Sequence, residues 1–165
     1  YLSFARLSDA KRVDKIVEAF KQMPDKKLLV IYWENDPQKQ KIFTIASWYN
    51  NINFKTLPWN RGFTDYVGKC IATIYIPIDE DFGMSPVESM SAWKPVLWVD
   101  DGWLKETIID GKTWYLIPKE ANIEDIIDAI NKLTIESCIE MKEDCIERAK
   151  EFSLVQFEKK LKEYV

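Results

Sequence analysis

The chain has 165 residues, 47% of them apolar and 30% charged, with a net charge of −4; a single domain of that length buries about 70% of its unfolded surface and needs no staples. Both charge signs are interspersed along it, which argues against a duplex nucleic-acid binder. Three cysteines without C-x-x-C spacing, and no histidine at all, speak against a disulfide framework or a zinc site and for buried thiols in a reducing cytosol.

No secretory leader and no apolar run long enough to span a bilayer can be read in it. It opens straight into a strand, residues 1–5, which predicts a piece cut at a domain boundary. Ser8 is placed to cap a helix whose Val13, Ile16, Val17 and Phe20 share one face. Pro24-Asp25 turns the chain into a buried strand over residues 28–32. Asp36-Pro37 pairs a cap with a first helical residue, and Asn50-Asn51 ends that helix before a short third strand over residues 52–54. A loop over 58–62 and a short helix over 63–69 follow.

The apolar, β-branched run at residues 71–76 reads as a strand covered on both faces. Beyond it, Ser85-Pro86-Val87-Glu88 has the pattern of a helix start: Ser as N-cap, Pro at the first helical position, Glu three past the cap. Gly83 and Met84 therefore lie where a strand's carboxyl end meets a helix N-terminus. In an open α/β sheet that is where ligands sit, facing free N–H groups. Read locally, Glu88 is only the capping-box partner of Ser85, and Glu80 a solvated loop residue.

A fifth strand is expected over residues 95–99, a short helix over 104–109, a turn at Asp110-Gly111-Lys112 and a sixth strand over 115–117. Asn122 caps a helix carrying Ile123, Ile126, Ile127, Ile130 and Leu133 on one face. Charged helices follow over 135–150 and 154–164. The alternation predicts an α/β fold with a doubly wound parallel sheet: a Rossmann-like core over about residues 1–133, then C-terminal helices over 134–165. A flavodoxin-like domain has the same rhythm, so the fold alone does not choose a function.

Motifs narrow the choice. Glu80-x-Phe82-Gly83-x-x-Pro86-Val87-Glu88-Ser89-Met90 resembles the E-x7-E signature of retaining GT-B glycosyltransferases of family 4, and is most similar to the mannosyltransferase-like members. Other blocks resemble the same family in the same order. Ala5-Arg6-Leu7, followed by Lys11, is similar to its Gly-Arg-Leu segment, with Ala5 a departure. Residues 100–107 resemble its Gly-Gly-x-x-Glu block, and residues 110–116 its Asp-Gly-x-Thr-Gly-x-Leu turn. The resemblance spans about residues 1–117.

It implies the donor-binding half of a GT-B enzyme that transfers a sugar of the mannose or glucose class from a nucleoside-diphosphate sugar to a glycan or lipid-linked acceptor. By this resemblance Arg6 and Lys11 hold the diphosphate, where negative charge collects as the glycosidic bond stretches. Glu80 contacts the donor sugar beside the reacting carbon, and Glu88 the ribose. Phe82, Gly83, Met84, Ser85 and Gly102 line the donor site. No cofactor and no catalytic metal are expected. The acceptor domain, the N-terminal Rossmann domain of the same enzyme, is absent, so the isolated fragment is expected to turn over nothing. The implied location is cytoplasmic, peripheral at the inner membrane face where the acceptor is a lipid. Two alternatives carry less weight. A sugar-nucleotide epimerase of the same fold depends on histidines this chain lacks. A non-catalytic flavodoxin-like or degenerate GT-B interaction domain would show no nucleotide binding sensitive to Lys11→Ala or Glu88→Ala.

The tryptophans are anomalous. Trp33, Trp93, Trp103 and Trp114 stand where the family places Gly, and Trp98 where it places Ala or Gly. Trp48 and Trp59 fall at a helix end and in a loop, where Gly is natural. Seven Trp against five Gly suggests a codon UGA that means glycine in the source, a reassignment known in some bacterial lineages. The other reading is an aromatic-rich surface.

Overall fold

The computed structural model describes residues 1–56, 63–101, 107, 109 and 111–163. The expected loop over 58–62 and most of the expected helix over 104–109 lie outside the described residues. Six parallel strands form one sheet in the order β3-β2-β1-β4-β5-β6: β1 (Leu2–Ser3), β2 (Leu28–Tyr32), β3 (Ile52–Thr56), β4 (Thr73–Ile74), β5 (Val96–Asp100) and β6 (Trp114–Pro118). Strand order reverses between β1 and β4, the switch point of a doubly wound sheet. The expected α/β class holds.

Helices cover both faces. Next to α1 (Val13–Lys21) lie α2 (Lys39–Ala46) and α5 (Ile123–Lys132). With α3 (Phe63–Lys69) come α4 (Met84–Ser91), α6 (Ile135–Glu140) and α7 (Lys142–Lys150), and α4 packs against α7; α8 (Leu154–Glu163) follows with no buried residue. Val13, Ile16, Val17 and Phe20 are all fully buried, as their spacing requires, and each such side chain contributes roughly 1.5–3 kcal/mol of transfer free energy. Val96, Leu97, Trp98 and Val99 of β5 are fully buried in succession, the mark of a parallel strand with layers on both sides. Asn122 caps α5 as expected, and the structure adds a reciprocal bond to the Asp125 side chain that completes a capping box. Among the described residues no helix is long and apolar enough to cross a membrane.

Several boundaries differ from the sequence pattern. Ser8 makes no side-chain cap. A 3-10 turn, Asp9–Lys11, comes first, and Arg12 at φ 50° bends the chain before α1 starts. Asp36 does not start α2 either: its Oδ2 accepts from the Trp33 N–H at 2.9 Å, which closes a turn, and the helix begins at Lys39 after Gln38. β4 is shorter than the apolar run suggested and β3 two residues longer. The expected helix over 135–150 is two, parted at Met141. Asn51, read only as a helix breaker, is buried, and its Nδ2 donates to the carbonyls of Phe20, Met23 and Lys26 at 2.8–3.0 Å. Cys138 and Cys145 are buried as expected, while Cys70 is half-buried; burial pushes these thiols up to about 11, about 12 and about 11 respectively, which keeps them protonated.

Candidate functional site

The site lies outside the carboxyl ends of β1 and β4. Two segments meet there: residues 4–12, leaving β1, and residues 75–85, leaving β4. The first is fastened to the second by Arg12. Its buried guanidinium donates from Nε to the Ile76 carbonyl and from Nη1 to the Lys119 carbonyl, both at 2.7 Å. The Ile78 N–H adds a bond to the Ala10 carbonyl at 2.8 Å. On the other side, Asp79 at φ 52° donates its N–H to Asp101 Oδ2 at 2.9 Å. Lys119 pairs with both Asp79 and Asp101, at 3.2 and 3.0 Å. The loop that presents Glu80 is thus held from two directions.

Glu80 points back at the first segment. Its Oε2 pairs with Lys11 Nζ and accepts from the Tyr75 hydroxyl at 2.9 Å, while Lys11 donates to that same hydroxyl at 2.8 Å. Tyr75 is buried. Its ring lies beneath the Lys11 ammonium, 5.2 Å from the centroid, and against Trp98 at 4.9 Å. Burial, then the charge and hydrogen bond of Glu80, raises the phenol well above its ordinary pKa, so the hydroxyl keeps its proton and donates it to the carboxylate.

The wall of the cleft continues through α4, whose N-cap is Gly83, not Ser85. Gly83 has φ 70°, a conformation that costs glycine little, and it turns the chain into the helix two residues earlier than the Ser-Pro pattern implied. Pro86 becomes the third helical residue, where its missing N–H is one the first turn would leave unpaired anyway. The Ser85–Glu88 capping box is therefore not formed. Instead the Ser85 carbonyl accepts from Ser89 Oγ at 2.9 Å, and Ser89 Oγ accepts from buried Thr73 Oγ1 at 2.8 Å, which pins the helix N-terminus to β4. Glu88 lies on the solvent side of α4, yet packing around its carboxyl desolvates it enough to raise its pKa above the ordinary value.

A cleft of about 560 Å³ results, lined among others by Ala5, Arg6, Lys11, Trp33, Tyr75 and Ser85. Arg6 is mostly exposed at its rim and faces Asp36 at 3.6 Å. Of the expected site residues, Arg6, Lys11, Glu80 and Ser85 meet here, while Gly83 and Met84 form the adjoining helix start. Phe82 faces elsewhere, its ring edge-on to Phe152 at 5.9 Å. Gly102 lies outside the described residues. Sequence reasoning missed Tyr75, Arg12 and Asp36. Tyr75, near the end of the apolar run over residues 71–76, was the one available signal; nothing in the local pattern marked Arg12.

The family described as "Glycosyl transferases group 1" matches residues 1–152. The chain belongs to this family. Two alpha-1,3/1,6-mannosyltransferases are among its curated relatives. ALG2 of Dictyostelium discoideum is 44% identical over 64 residues, 39% of this chain and 15% of that protein. Its Schizosaccharomyces pombe counterpart is 28% identical over 120 residues, 72% of this chain and 22% of that one. The chain thus spans about a fifth or less of these relatives. Among solved structures, a glycosyltransferase of Rickettsia africae superposes with a TM-score of 0.81 at 19% identity, over 99% of this chain and 46% of that one. Anabaena Alr3699/HepE, solved with UDP and glucose, gives 0.80 at 19% identity, over 99% of this chain and 46% of that one. At that identity the group 1 domain shares a fold with them, the Rossmann-like half of a GT-B enzyme.

Proposed function

We propose that this domain binds the nucleoside-diphosphate sugar of a retaining hexosyltransferase, which passes mannose or glucose to a glycan or lipid-linked acceptor held by an N-terminal Rossmann domain. The observation that carries the reading is the Lys11–Glu80–Tyr75 cluster at the β1/β4 switch point: a cation and a carboxylate side by side where a doubly wound sheet binds its ligand. The mannosyltransferase relatives favour mannose as the sugar.

In this reading Lys11, with Arg6 at the rim, neutralises the leaving diphosphate, and the first N–H groups of α4, from Gly83 to Ser85, face its oxygens. Fixed cations do here what a metal does in other transferases, and no cofactor is called for. Glu80 accepts from the sugar hydroxyls beside the reacting carbon. Glu88, left free because the capping box is not formed, takes the ribose diol. The enzyme would work in the cytoplasm, at the membrane face if its acceptor is a lipid.

Thermal unfolding of this chain with UDP, GDP, ADP and their sugar conjugates tests the reading, with Lys11→Ala as control. A ligand at a hundred times its dissociation constant stabilises by about 2.7 kcal/mol, which raises Tm by roughly 5–10 °C for a domain of this size. A rise with one base that Lys11→Ala abolishes is the expected result. An equal rise in the variant would remove Lys11 from the site.

A further inference from the structure

In the ligand-free cleft the cation meant for the diphosphate is already occupied. Lys11 is neutralised by Glu80, and the Tyr75 hydroxyl bridges the two, accepting from Lys11 at 2.8 Å and donating to Glu80 Oε2 at 2.9 Å. Both charged side chains are mostly withdrawn from water, at 24% and 17% exposure, so the pair is less screened than a surface pair. Tyr75 has little freedom between the Lys11 ammonium and the Trp98 ring. An anion arriving at Lys11 therefore meets a carboxylate fixed beside it.

That carboxylate treats two ligands differently. A complete donor brings sugar hydroxyls that donate to Glu80 as Lys11 turns to the diphosphate, so both partners of the broken pair are satisfied again. A spent nucleoside diphosphate brings only negative charge. Glu80 then faces the phosphates unpaired, and like-charge proximity drives it back onto Lys11.

We propose that Glu80, aligned by Tyr75, is an internal competitor of the nucleoside diphosphate for Lys11, so that the cleft favours the intact donor over the spent nucleotide and expels the latter once the sugar has left. Glu80 touches the sugar; Tyr75 acts through Glu80 and Lys11 and is a positioning residue. The proposal rests on the donor-site reading above and adds to it a means of telling substrate from product.

Calorimetric titration of this chain with UDP and GDP, and with UDP-glucose and GDP-mannose, tests it in the native sequence, Glu80→Gln, Glu80→Ala and Tyr75→Phe. The expected result is opposite signs. Removing the carboxylate's charge tightens the spent nucleotide about tenfold or more, since each tenfold is a modest 1.4 kcal/mol, and leaves the intact donor no tighter. Tyr75→Phe moves the ratio the same way by a smaller factor, whereas a merely structural role would weaken both ligands together. Glu80→Ala checks the sign should the glutamine side chain re-pair with Lys11. A spent-nucleotide affinity that is unchanged or weaker in both Glu80 variants overturns the proposal while leaving the donor site standing. Equal tightening of both ligands overturns the discrimination. No binding of any nucleotide by any form overturns the donor site, and this inference with it.

Discussion

At the scale of single residues, the site depends on Arg12 as much as on the residues that face the cleft. Its guanidinium is buried and satisfies two carbonyls, Ile76 and Lys119, that lie just past the ends of β4 and β6. It does so from a left-handed backbone at φ 50°, a conformation held by its surroundings rather than by its own preference. Arg12→Ala leaves both carbonyls without their charged donor, and hydrogen bonds of that kind contribute about 1.5–3 kcal/mol each, less what water entering the gap restores. We expect a loss of roughly 2–3 kcal/mol in urea unfolding, and no rescue by Arg12→Lys, because a single ammonium cannot reach two carbonyls in a fork. Full stability in the lysine variant would show that charge matters there and geometry does not.

At the scale of elements, the sequence was legible where one period ruled. The α1 face, the four buried residues of β5 and the Asn122 cap follow from hydrophobic spacing and cap chemistry alone. It misled where tertiary contacts claimed the capping residues. Asp36 was drawn into a turn facing Arg6, and Ser85 became an interior residue once Gly83 supplied the positive φ. The site was half legible for the same reason. Lys11 and Glu80, 69 positions apart, were named through motif resemblance, but nothing local told that Tyr75 would join them. The C-terminus of α4 makes the point in reverse. The Trp93 N–H bonds to the Met90 carbonyl at 2.9 Å and the Lys94 N–H to the Ser89 carbonyl at 3.0 Å, a Schellman motif in which the left-handed residue, Trp93 at φ 66°, is normally glycine. Trp93→Gly should raise stability by about 1 kcal/mol, the usual penalty of a side chain in that conformation. The indole is 54% exposed and contacts Lys142, which offsets a part of that gain. A measured loss on substitution would mean that this contact outweighs the backbone.

At the scale of the whole molecule, Trp93 is one of seven tryptophans that stand where the sequence pattern leads one to expect a small residue, glycine at most of them. Trp48 is 90% exposed, which gives an indole no reason to be there. Trp98 is fully buried with its Nε1 unpartnered among the described residues, at a cost of about 1–3 kcal/mol. Trp33 lines the same cleft as Lys11, the cleft proposed to take the nucleotide. Packing opposes glycine at one of these sites: emptying the Trp98 position in this structure would leave a cavity costing about 3–5 kcal/mol. Stability measurements would therefore return mixed signs, position by position, whichever origin is true. The gene separates the cases. A single cause, the codon UGA read as glycine, requires TGA at positions 33, 48, 59, 93, 98, 103 and 114, and we expect sequencing to find it at all seven. TGG codons among them would make the tryptophans native and the crowded cleft a real property of the protein. If all are TGA, the chain with glycine at every one should bind nucleotide more tightly than the tryptophan form, because Trp33→Gly enlarges the cleft that Lys11 also lines without removing a group proposed to touch the donor.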